Sequence, residues 1–93
     1  MDNNLFDAKF GSRWKCLIGE FYRHYNCKDY LGALDIVKRA LWAAEVEGAG
    51  GEKYHDMMRI TLVELFCLYR TMGLSHFSAQ VAEKLREFGI RGL

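Results

Sequence analysis

The chain has 93 residues, enough for one domain that removes roughly two-thirds of its extended-chain surface from water. Its 13 basic and 12 acidic residues leave a net charge of +1, far from the basic balance of a phosphate-dominated nucleic-acid interface. An apolar fraction of 51% excludes wholesale disorder, and that much apolar content at near-zero charge favours association over solitary solubility.

The opening segment, Met1 to Asp7, carries acids and amides where a targeting peptide would be basic and then apolar. Charges interrupt every apolar run well short of a spanning length, so no membrane insertion is expected. Cys16, Cys27 and Cys67 are odd in number and widely spaced, which fits reduced thiols in a cytosolic setting. Each has an apolar or aromatic residue within two positions, and a core position is expected for all three.

The first helix is expected over about 6–25. Trp14, Leu17, Ile18, Phe21 and Tyr25 recur at three- and four-residue spacing, while Gly11 and Gly19 weaken it. Asn26 is the expected cap of a second helix over 28–47, with Tyr30, Leu34, Val37, Leu41 and Ala44 along one stripe. Ala33 and Ala40 lie beside that stripe and suit close helix approach; Trp42 stands off it. The run Gly48-Ala49-Gly50-Gly51 ends this helix.

A third helix over 53–72 is apolar on nearly every side. Met58, Leu62, Leu65, Tyr69 and Met72 form one face, and Met57, Ile60, Val63, Phe66 and Leu68 spread over the others. Only Asp56, Arg59, Glu64 and Arg70 interrupt the wrapping, so this helix must be central or covered by a partner. After Gly73 and Leu74, Ser75 is the expected cap of a fourth helix over 75–88. Its inner face is read as Phe77, Val81, Leu85 and Phe88.

The short links predict two antiparallel helical hairpins in one all-α domain over 1–93. Within it, Asp29 to Leu41 resembles the second helix of a tetratricopeptide repeat (TPR), with Tyr30, Ala33 and Ala40 at the aromatic and small positions. The resemblance implies a TPR-like right-handed stack. Leu65 to Leu74, with Tyr69-Arg70 and Gly73-Leu74 at a helix corner, resembles the small TPR-like chaperones of type III secretion needle subunits.

That second resemblance implies a bacterial cytoplasmic chaperone without catalytic residues, metal or cofactor. It would keep a needle subunit, a helical cargo, monomeric before export, together with a small helical co-chaperone in a heterotrimer. Helix-in-groove recognition is the physics such a role requires. The candidate cargo groove comprises Met57, Met58, Leu62, Leu65, Phe66 and Tyr69, with Arg70, Met72, Phe77, Val81 and Leu85 beside them. Trp14, Phe21, Tyr22 and Tyr25 form the candidate co-chaperone patch, since aromatic residues dominate interface hot spots.

Each of these positions also has an ordinary core reading. His24, His55 and His76 are far apart, and the glycine run lacks a phosphate-loop ending, so no enzymatic activity is expected. A homodimeric helical adaptor is the alternative function, and a nucleic-acid-binding regulator ranks below it.

Overall fold

Among the described residues, apolar side chains at helical spacing fold as four α-helices: α1 Ser12–Asn26, α2 Tyr30–Gly48, α3 Tyr54–Thr71 and α4 Ser75–Glu87. The structure, a computed structural model, describes residues 12–48 and 51–91. Residues 6–11 of the expected first helix lie outside the described residues. The expected spans 28–47, 53–72 and 75–88 meet α2, α3 and α4, with ends that shift by up to two residues.

Each helix packs on the next, giving an all-α four-helix bundle. The start of α1 meets the end of α2, where Glu47 accepts the Trp14 backbone N–H at 3.4 Å. A carboxylate there complements the positive end of the α1 dipole. The closest contacts of α2 use small residues: Ala33, Ala40 and Ala44 are fully buried beside Val37.

α3 is the central helix. It packs on α2 and α4, and α1 reaches it through side chains. Its near-continuous apolar wrapping is thereby explained within the chain, with Met57, Met58, Leu62, Leu65, Phe66, Leu68 and Tyr69 buried. Burying side chains of this size stabilises by roughly 1.5–3 kcal/mol each.

Three helices stop in the same way. Gly73 (φ 77°) follows α3 and Gly89 (φ 87°) follows α4, in the left-handed region where glycine has no steric penalty. Behind each, an N–H reaches back five residues: Leu74 to the Tyr69 carbonyl at 2.8 Å, and Ile90 to Leu85 at 3.0 Å. The α1 stop repeats this with Asp29 to His24 at 2.9 Å, but its left-handed residue is Lys28 (φ 62°).

The cap of α2 is therefore Asp29 and not Asn26. Asn26 belongs to the last turn of α1, and only a residue beyond Lys28 can start the next helix. The Asp29 Oδ1 accepts the Gly32 N–H at 3.1 Å, and its Oδ2 lies 2.7 Å from His24 Nδ1. A Cβ on Gly32 would come within 2.4 Å of that Oδ2, so this close approach needs glycine.

Ser75 likewise does not cap α4. Leu74 holds the cap position without a side-chain hydrogen bond, because the stop at Gly73 sets where α4 begins. The buried face of α4 is Ser78, Val81, Ala82 and Leu85, whereas Phe77 is exposed and Phe88 half-buried. The three cysteines are exposed too. Sequence neighbours in a helix point about 100° apart, so apolar neighbours do not predict burial.

Candidate functional site

The polar ends of three α1 aromatics are engaged by α3. The Trp14 indole N–H donates to Thr61 Oγ1 at 2.8 Å, and Thr61 donates to the Met57 carbonyl at 2.6 Å. The Tyr25 hydroxyl lies 2.9 Å from Thr71 Oγ1, which donates to the Cys67 carbonyl. Tyr25 is thus the donor. Between these two, the Tyr22 hydroxyl donates to the Glu64 carboxylate. The order of the pairs makes α1 and α3 run parallel, side by side.

Burial, then the hydrogen bond and charge of Glu64, push the Tyr22 hydroxyl up to about 12. Partial burial and the same carboxylate raise the Cys67 thiol, against a smaller opposing effect of Arg70. Glu64 is thus the electrostatic centre of the face that α1 and α3 share.

A groove of about 640 Å³ opens on that face, lined by Tyr22, Asp56, Arg59, Ile60, Val63, Glu64 and Ile90. Ile60 is 42% exposed at its floor. A second hollow of about 420 Å³ continues along α3, bounded by Tyr25, Phe66, Cys67, Arg70 and Thr71. The Arg70 guanidinium stands 5.6 Å from the centre of the Phe66 ring, a cation–π placement that leaves the charge at the surface.

The expected cargo-groove residues fall into two groups. Met57, Met58, Leu62 and Leu65 are each 5% exposed or less and lie in the core, joined there by Phe66, Tyr69, Val81 and Leu85. Arg70 and Phe77 reach solvent, and Met72 is half-buried. Phe77 stacks on Tyr69 across the α3–α4 corner at 5.4 Å.

In the expected co-chaperone patch, Phe21 is core, Trp14 and Tyr25 are half-buried, and Tyr22 is exposed at the groove. The structure therefore brings Tyr22 and Tyr25 to the same face as Arg70. It does not divide them between separate cargo and co-chaperone faces.

Sequence reasoning missed Thr61, Thr71 and Ile90 as members of this face. A signal for the groove was present in Asp56, Arg59, Glu64 and Arg70. Their spacing marks one strip of α3 as solvent-facing, and Ile60, Val63 and Cys67 lie within that strip.

A further hollow of about 370 Å³ holds Arg23, His24, Cys27 and Asp29. His24 does have a carboxylate partner in Asp29, five residues away, and that pair closes the α1–α2 turn. Among the described residues, no group of three or more His, Cys, Asp or Glu side chains is placed to hold a metal ion. No helix among them is long and apolar enough to cross a membrane. No protein-family model matches the chain, and no curated protein and no solved structure matches it.

Proposed function

We propose that this chain is a bacterial cytoplasmic chaperone of type III secretion. It holds the needle subunit monomeric by seating that subunit's amphipathic helix in the groove between α1 and α3, with a small helical co-chaperone completing a heterotrimer. The observation that carries the proposal is the groove itself, with Ile60, Val63, Tyr22 and Ile90 as its apolar lining. Charges at its rim, Asp56, Arg59 and Glu64, suit the polar edges of an amphipathic helix.

Two features support the TPR-like, right-handed part of the reading. The first helices of both hairpins lie side by side, which is where such stacks carry their concave face. Ala33 and Ala40 are fully buried, as the repeat's small positions require. The corner residues Tyr69, Gly73 and Leu74 are all used in the α3 stop, and Arg70 is exposed beside it, free to meet a carboxylate of the cargo.

Co-expression with the needle subunit tests the proposal. Ile60→Asp is expected to weaken cargo capture by at least about 30-fold, and Ile60→Gln, which adds no like charge between Asp56 and Glu64, to weaken it with a smaller change in the unfolding midpoint. Arg70→Glu weakens capture to a smaller degree. A needle subunit that polymerises equally with and without the chain, or is retained equally by Ile60→Asp, sinks the reading.

A further inference from the structure

Among the described residues, the outer face of α2 takes no part in the bundle core or in the groove. Leu31 is 75% exposed and Trp42 57%, an unusual amount of apolar surface for one helix to present. Between and beyond them lie Asp35, Lys38 and Glu45, all exposed. The spacing from Leu31 through Asp35, Lys38 and Trp42 to Glu45 alternates four and three, which places all five along one seam of a straight helix.

We infer that this seam pairs with the same seam of a second copy of the chain, antiparallel, about a two-fold axis at the level of Ile36 and Val37. The argument is complementarity. In that register Leu31 of one copy meets Trp42 of the other, and Asp35 meets Lys38. The axis repeats both contacts, since an isologous interface contains every pair twice. The two Leu–Trp contacts lie about 16 Å apart along the seam, with the two ion pairs between them.

Glu45 lies beyond these contacts, towards the turn of the other copy that carries Lys28 two residues before α2. Leu31, Asp35, Lys38 and Trp42 thus each meet either an apolar partner or an opposite charge. A parallel pairing would set Asp35 against Asp35 and Lys38 against Lys38, so the charges select the antiparallel arrangement. A net charge of +1 presents little general repulsion between copies.

Asp35 already contacts Arg39 of its own helix at 3.2 Å, an exposed pair that contributes little to folding. Arg39 lies to one side of the seam and leaves it open. Two helix faces of this length make a small interface, so the dimer is a weak one that forms at high concentration. The groove between α1 and α3 shares no residue with the seam, and the pairing stands or falls independently of the chaperone reading.

Sedimentation equilibrium of the full chain up to about 0.3 mM, a range suited to small interfaces, tests the inference. Wild type is expected to show a reversible monomer–dimer equilibrium. Asp35→Lys and Lys38→Asp each place like charges at both symmetric layers, and each raises the dimer dissociation constant more than about tenfold. Both sites are exposed, so helicity and thermal unfolding stay unchanged.

An equimolar mixture of the two variants restores opposite charges at every layer, and a heterodimer returns. Ile60→Asp leaves self-association untouched. A wild type that stays monomeric throughout, or charge variants that fail to recover on mixing, overturns the pairing. So does a monomeric wild type in which Trp42→Ala impairs capture of another protein, which would assign the face to that protein.

Discussion

Trp14 on α1 and Thr61 on α3 are joined by a 2.8 Å hydrogen bond across 47 residues of sequence. Thr61 accepts the indole N–H while donating its own hydroxyl to Met57, so both of its polar roles are filled in a fully buried position. Removing either partner leaves a polar group at the α1–α3 contact without its mate.

A double-mutant cycle with Trp14→Phe and Thr61→Val is expected to show a coupling of about 0.5–1.5 kcal/mol in urea unfolding. Thr61→Val conserves volume, so its own cost of about 1–3 kcal/mol reports the stranded indole N–H. Strictly additive single-variant effects would show that the bond does not couple the helices.

Lys28 is the one described non-glycine residue with a positive φ, at 62°. A left-handed conformation costs an L-residue about 1–2 kcal/mol. Lys28→Gly relieves that strain and is expected to raise stability by up to about 1 kcal/mol, offset in part by the greater freedom of glycine in the unfolded chain. Lys28→Ile lowers stability, because a β-branched residue tolerates this region least. Chemical denaturation of the two variants should move in opposite directions.

Asp29 links the end of α1 to the start of α2. The hydrogen bond from His24, then that from the Gly32 N–H, hold its carboxyl below the ordinary value of 3.8. A depressed carboxyl stabilises the fold above its unfolded value, and that contribution disappears as pH falls through the lower folded value. Asp29→Ala should therefore have a lower unfolding midpoint than wild type at pH 5–7. The gap should close as the pH is taken below about 3.8. A gap that persists unchanged in acid would remove the carboxylate from the explanation.

Tyr22 behaves in the opposite sense. Its hydroxyl is raised to about 12 from 10.0, so the folded chain keeps a proton that the unfolded chain releases near 10. That contribution to stability is complete below pH 10 and is lost as pH rises towards 12. Tyr22→Phe should flatten the alkaline fall in stability, and Glu64→Gln should bring the phenol back towards its ordinary value in ultraviolet titration.

Helix positions were legible because the apolar period is strong in every segment, and α3 announced its centrality through its wrapping. Caps were less legible. Nothing in the one-dimensional pattern distinguishes Asn26 from Asp29 until the left-handed turn at Lys28 is known. The face of α4 was read one position off, towards Phe77, since a large aromatic outweighs Ser78 and Ala82 in any hydrophobic pattern. The packed corner prefers the small residues, and Phe77 covers Tyr69 from outside.

Most of the expected groove residues are buried for a related reason. Met57, Met58, Leu62 and Leu65 lie on the side of α3 that packs into the core, and a central helix leaves little of that side open. A surface that stays open must be built from what remains, Ile60 and Val63 among charges.

The α1–α3 bonds join residues 42 to 47 positions apart, and this dictates an order of events at the ribosome. When α1 and α2 first emerge, Trp14, Tyr22 and Tyr25 have no acceptors, because Thr61, Glu64 and Thr71 have not yet been synthesised. The nascent hairpin therefore passes through an interval with its aromatic edge uncovered. That interval ends only when α3 clears the exit tunnel and α1 closes onto it.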